Sequence, residues 1–108
     1  MDITLLESGT KLTVETKNSI YQITVLGGSN IKIMGGMNKD GEIRYPRPTE
    51  AVFIASILES ESIPNCIIKN MKLQFQIGAT QFATSPVFNV EVESPDGNWT
   101  YSMGWNSI

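Results

Sequence analysis

The stretch Met71-Lys72-Leu73-Gln74-Phe75-Gln76-Ile77 constrains this chain more than any other. On an extended backbone Met71, Leu73, Phe75 and Ile77 fall to one side, and Lys72, Gln74 and Gln76 to the other. A repeat of this kind marks a strand with one buried and one wet face. After a break at Gly78-Ala79, the run from Phe82 to Phe88 leads into a second alternating segment that ends at Glu93. The two segments predict the central hairpin of a small all-β domain.

The rest of the chain reads the same way. Leu12 and Val14 point inward from a strand over Lys11 to Glu15, and the polar turn Thr16-Lys17-Asn18-Ser19 follows. Ile20 to Leu26 is rich in β-branched residues. Tyr21, Ile23 and Val25 share one face, and Ile20 and Leu26 suggest partial burial of the other. Gly27-Gly28-Ser29-Asn30 is a hairpin loop that needs positive φ. Ile31 to Met34 is a strand that stops at Gly35-Gly36, and both glycine pairs read as turns. Met37 to Pro48 reads as turn-rich, with Pro46 and Pro48 set against regular structure. Thr49 to Ser60 is ambiguous. As a helix it would be capped by Thr49 and would align Ala51, Ile54, Ala55 and Leu58. As a strand it would alternate at Val52 and Ile54, and the strand is preferred because every neighbour is one. Ser94-Pro95-Asp96-Gly97-Asn98 is a turn. Trp99, Tyr101, Met103 and Trp105 then recur at strand spacing. Together these segments predict one domain over residues 1–108, a small barrel of six to eight mainly antiparallel strands.

Composition narrows the functional classes. With 108 residues and 41% hydrophobic content, the chain has material for one modest core, burying roughly 65% of its unfolded surface. The formal net charge is −3, and the basic residues are scattered, with only Arg44 and Arg47 close together. Nucleic-acid binding draws on clustered cations, so neither DNA nor RNA is an expected partner. The chain has no histidine and a single cysteine, Cys66, which argues against structural zinc and internal disulfides. No apolar run is long enough to span a bilayer, and the opening residues lack a cationic-plus-apolar signal. A reducing, cytoplasmic setting without a membrane or a cofactor is therefore expected.

Several motifs occur in a recognisable order. They are Glu15-Thr16-Lys17-Asn18-Ser19-Ile20-Tyr21, the Gly35-Gly36 pair, Met71-Lys72-Leu73-Gln74-Phe75 and Thr84-Ser85-Pro86-Val87. Together they resemble a family of small uncharacterised bacterial proteins with an ETRNS-x-Y motif, a Gly-Gly after a strand, an M-R-M-x-F strand and a TSPV motif. The resemblance covers residues 9 to 92. Lys17 stands where that family often has arginine. The segment Ala55-Ser56-Ile57-Leu58-Glu59-Ser60-Glu61 replaces a glycine-rich loop, so anything bound there by the family need not be bound here. The resemblance implies an all-β fold and supplies no activity.

Three candidate sites stand out. Thr84 and Ser85 place two hydroxyls beside Pro86, which lacks an N–H and so favours an edge or a bulge. Lys17 and Asn18 form a polar tip able to meet a carboxylate or phosphate. The structural alternative at both places is a well-made turn whose hydroxyls bond local backbone. The aromatic tail of Trp99, Tyr101, Met103 and Trp105 carries residue types enriched at interfaces, and it must dock in cis or in trans to stay soluble. No catalytic constellation is visible. Cys66 and the serines lack a histidine, a Ser–Lys pair has no supporting spacing, and the pairs Glu59/Glu61 and Glu91/Glu93 would each share one strand face but in solvated contexts. The chain is thus expected to be a non-catalytic interaction module, a homo-oligomer or a binder of another protein, working through its tail. The alternative is a bacterial or phage protein that binds or sequesters a small anionic ligand such as a nucleotide. Lys17, Asn18, Thr84 and Ser85 would then make the contacts, with Arg44 or Arg47 from the middle loop.

Overall fold

The computed structural model describes residues 1–37 and 40–102, with Tyr101 described through its backbone alone. Eight strands form one antiparallel sheet among these residues: β1 (Lys11–Thr16), β2 (Ile20–Gly27), β3 (Asn30–Met37), β4 (Ile43–Leu58), β5 (Glu61–Pro64), β6 (Lys72–Ile77), β7 (Thr80–Glu93) and β8 (Thr100–Ser102). In the order β1-β2-β3-β4-β6-β7 the sheet closes on itself through pairing of β1 with β7. The all-β barrel expected from the alternation is therefore present, with β5 added to β4 and β8 added to β7.

Two long strands make the closure possible. β4 has 16 residues and β7 has 14, and each serves different neighbours along its length. β4 pairs with β3 through Ile43 to Val52 and with β6 through Val52 to Ile57. β7 pairs with β6 as far as Pro86 and with β1 from Val87 onward. Each hand-over is marked by a register shift, and bulges of this kind bend a strand enough to turn a barrel corner.

The inward stripe predicted from Met71 to Ile77 faces the core: Met71, Leu73 and Phe75 are buried, and Ile77 packs against the cluster. The Phe53 and Phe75 rings meet at a tilt with 5.5 Å between centroids, and Phe75 and Phe82 stack at 5.3 Å. Beneath them Ile3, on a three-residue 3-10 turn, is buried with Ile67 and closes one end of the barrel. Backbone bonds fix this plug, from Ile3 N to Asn65 O at 2.9 Å and from Ile67 N to Met1 O at 2.8 Å.

Five local expectations are revised. The segment from Thr49 is a strand, as preferred, but Ala51, Phe53 and Ala55 point inward while Val52 lies outside, one residue out of phase with the expected alternation. Ile20 and Leu26 are exposed, because the outer face of β2 meets solvent. β3 runs through Gly35-Gly36 to Met37 instead of stopping there. β4 runs through Pro46 and Pro48. Tyr45 lies opposite Gly35 and Thr49 opposite Ile33, so the prolines fall in a bulge where no regular ladder bond is lost. Finally, Glu59 sits at positive φ in the β4–β5 turn, so it does not share a strand face with Glu61.

Candidate functional site: a hollow at the β1–β2 turn

The turn between β1 and β2 is held by short-range bonds. Thr16 N donates to Ser19 O at 2.8 Å, and Ser19 N donates to Thr16 Oγ1 at 3.0 Å. Both side-chain and backbone partners of Thr16 thus lie within the turn, which leaves Lys17 and Asn18 projecting at its tip. That tip is tied to β7, with Lys17 N donating to Pro86 O at 3.1 Å and Asn18 Nδ2 to Ser85 Oγ at 2.9 Å. A second tie runs to the end of β3, where Met37 N donates to Ser19 Oγ at 2.9 Å.

Gly35 and Gly36 bring β3 over Tyr21. Their φ angles are +102° and +75°, a region that side-chain-bearing residues avoid. A Cβ at Gly36 would lie 2.5 Å from Cε1 of Tyr21, and one at Gly35 would lie 2.5 Å from the carbonyl oxygen of Ile20. The glycines therefore let the β3 backbone pass close over the buried Tyr21 ring. Burial raises the Tyr21 phenol above its ordinary pKa, and the nearby Arg44 charge offsets part of that rise.

Phe88 reaches the surface by another device. Glu15 pairs with Asn89 and Thr16 with Val87, so Phe88 is the extra residue of a bulge and its ring is 51% exposed. It lines a hollow of about 490 Å³ together with Ile20, Met37, Ile43, Lys17 and Asn18. Ile20, Met37 and Ile43 are also more than half exposed. A neighbouring depression of about 270 Å³ shares Ile20, Gly35 and Ile43 and continues the apolar surface to Tyr45 and Pro46.

The candidates proposed from sequence separate here. Lys17 and Asn18 line the hollow, and Ser85, which does not line it, meets Asn18 through the hydrogen bond across the tip. Thr84 does not join them: it is buried, accepts from Leu73 N at 3.0 Å and donates to Ser85 O at 2.7 Å. Its hydroxyl thus has the local structural task offered as the alternative. Arg44 lies with its guanidinium 5.7 Å from the Phe82 ring centroid, and neither it nor Arg47 lines the hollow. Trp99 is about half exposed beside Ser94, whose N–H donates to its carbonyl at 3.0 Å. Tyr101 pairs with Val92 through the backbone. Met103 and Trp105 lie outside the described residues.

Chemically, the hollow offers apolar side chains bordered by the Lys17 ammonium, the Asn18 amide, the Glu15 carboxylate and the hydroxyl-bearing Thr16 and Ser19. Among the described residues, no group of three or more histidine, cysteine, aspartate or glutamate side chains is placed to hold a metal ion. No helix there is long and apolar enough to cross a membrane. Sequence reasoning missed Ile20, Met37, Ile43 and Phe88 as a group. The signal at Ile20 was an apolar residue on the second face of its strand, ordinarily read as half-burial, whereas Met37 and Ile43 fell in a segment read as turns.

Three of the four segments singled out in the sequence meet at this one place: the Glu15-to-Tyr21 turn, the glycine pair and the Ser85-Pro86 corner. Comparison with known proteins adds no relative, since no family model, no curated protein and no solved structure matches the chain.

Proposed function

We propose that this chain is a non-catalytic interaction module and that the hollow around Phe88 is its docking surface. One observation carries the reading. Four large apolar side chains, Ile20, Met37, Ile43 and Phe88, are exposed around a single depression. Scattered exposed apolar residues need no explanation, whereas a contiguous group marks a contact surface. A bulge that aims an apolar ring into solvent adds to this, because bulges commonly re-aim side chains at sites. The partner we propose is a second copy of the chain in the cytoplasm. Native mass spectrometry tests it: wild type should give an integer multiple of 11.9 kDa, and Phe88→Asp should give the single-chain mass. A wild-type monomer would remove the second copy as partner.

The tie between Asn18 and Ser85 favours a second reading, in which Lys17 and Asn18 hold the head of a small amphipathic anion whose apolar part lies against Phe88. The volume lies within the usual range of ligand sites, roughly 300–1,000 Å³. A nucleotide with Arg44, Arg47 and Thr84 among its contacts is less well served, because those three residues do not line the hollow. Under this reading, native mass spectra of freshly purified protein carry an added small mass that Lys17→Ala removes.

A further inference from the structure

We propose that a second copy of the chain adds to the sheet along a free edge of β7, pairing antiparallel over Gln81 to Ala83. The inference rests on the reading of a second copy as partner and assigns it a contact outside the hollow.

The edge follows from the pairing of β7. Between Thr80 and Ser85 this strand has β6 on one side and, among the described residues, no strand on the other, because β1 joins it only from Val87. Ile77 and Thr80 close a two-residue turn in which Gly78 has a φ of +58°, the glycine-first form favoured in hairpins. The closing pair of such a hairpin exchanges both backbone bonds, and bonded pairs then alternate along the ladder. Thr80 and Phe82 therefore aim their N–H and C=O groups at β6. Gln81 and Ala83 aim theirs at the unpaired side.

Side chains leave this edge open. Ala83 is exposed and has only a methyl group. The Gln81 side chain is held over β6, where it accepts from Gln74 Nε2 at 3.3 Å and donates to Gln76 Oε1 at 3.5 Å. Sheet edges are ordinarily guarded by charge, proline or shortness. The part of β4 that β6 does not reach carries Arg44, Pro46, Arg47 and Pro48. β5 has 4 residues, Glu61 and Pro64 among them, and β8 has 3. The run Thr80-Gln81-Phe82-Ala83-Thr84-Ser85 has neither charge nor proline. An edge left unguarded is a template for strand addition.

Symmetry and charge favour a second copy as the added strand. A two-fold axis at Phe82 sets Gln81 of each copy opposite Ala83 of the other, so that the outward donors meet acceptors. An uncharged edge also meets its own copy without repulsion. The bond from Lys17 N to Pro86 O puts the β1–β2 turn at the end of the same edge. The paired copy thus brings its Gly78-Ala79 turn beside Lys17 and Asn18, which line the hollow. Edge and hollow are then met in a single approach.

Amide hydrogen exchange of the full chain, resolved residue by residue, tests the pairing at two concentrations. At one, mass spectra show only monomer; at the other, the chain associates. The Gln81 and Ala83 amides should exchange freely in the monomer and slow several-fold on association, with Thr80 and Phe82 protected in both. Unchanged exchange at Gln81 and Ala83 overturns the inference. Protection of both already in the monomer also overturns it, since the edge is then occupied within one chain. Ala83→Lys puts a charge at an exposed position of the edge and should weaken self-association several-fold. An unaltered value overturns the inference as well. A chain that stays monomeric at every concentration overturns it together with the second copy as partner. Failure of the hollow alone looks different: Phe88→Asp still associates, and its Gln81 and Ala83 amides stay protected.

Discussion

The two ends of the β1–β2 hairpin deal with apolar side chains in opposite ways. At the end near Lys11 and Thr24, Ile3 and Ile67 fill the barrel mouth and are almost wholly buried. Polar groups there are used up by the fold. Ser29 Oγ donates to Asn65 Oδ1 at 2.7 Å, and Ser56 Oγ donates to Cys66 O at 2.6 Å while accepting from Ile68 N at 3.1 Å. At the other end, Thr16, Ser19 and the glycine pair are just as firmly tied, yet Ile20, Met37, Ile43 and Phe88 stay exposed. A rigid frame that holds apolar groups in water does nothing for the stability of the free chain. The comparison therefore locates stability at the first end and leaves at the second a group of apolar side chains that the fold of the free chain does not bury.

Paired substitutions offer the sharpest way to break that comparison. Ile3→Ala should cost about 2–5 kcal/mol, the usual range for truncating a fully buried aliphatic side chain. Phe88→Ala should change stability by no more than about 0.5 kcal/mol while weakening self-association. Denaturant midpoints measure the first effect and native mass spectrometry the second. A large stability loss from Phe88→Ala would mean that the ring supports the fold and the two ends are alike.

Glycine substitutions come next. Gly36→Ala forces a Cβ into the Tyr21 ring at positive φ, whereas Gly28→Ala meets the strained angle with nothing nearby. A strained backbone position costs roughly 1–3 kcal/mol, so Gly36→Ala should fall at or beyond the top of that range and Gly28→Ala near its foot. Equal losses at the two positions would show that the Tyr21 contact contributes nothing.

These effects also show what could be read in advance. Alternation at Met71 to Ile77 and at Leu12 and Val14 was enough to place the core strands, because a period of two has one physical cause. Lys17, Asn18 and Ser85 were visible as polar corners, but their meeting was not, since a contact 67 residues apart in sequence leaves no local trace. Pro46, Pro48, Gly35 and Gly36 misled for a shared reason. Each reads locally as a breaker, yet the prolines fall in a bulge of β4 and the glycines in a close pass of β3 over Tyr21, both of which depend on the partner strand. Phe88 was hidden in the same way: it looks like one more member of an apolar strand until the pairing of Glu15 and Thr16 leaves it unmatched.

A smaller effect concerns the tie across the rim. Asn18→Ala and Ser85→Ala remove the two sides of one exposed hydrogen bond. Net values for such bonds run about 0.5–1.5 kcal/mol, and exposure puts this one at the low end. A double-mutant cycle should give a coupling of that size. Zero coupling would mean that the β1–β2 tip is held by the Lys17–Pro86 backbone bond alone.

The last difference between the ends lies in their response to pH. Tyr21 under the glycine pair has a phenol pKa raised above its ordinary value of 10.0, chiefly by burial. Its folded state therefore resists deprotonation more than its unfolded state does. The resulting stability is fully present below pH 10 and is lost as pH rises through the folded pKa. At the plugged end Asp2 has the opposite sense, because the Thr4 hydroxyl and N–H hold its carboxyl below the usual value. Its contribution is present above the unfolded pKa near 3.8 and fades as pH falls through the lower, folded one. Tyr21→Phe should flatten the alkaline limb of a stability-against-pH curve and leave the acid limb as it was. Asp2→Asn should do the reverse, and more weakly, since that carboxylate is fully solvated. If Tyr21→Phe left the alkaline limb in place, the buried phenol would not be its source, and the close pass of the glycines would matter only for packing.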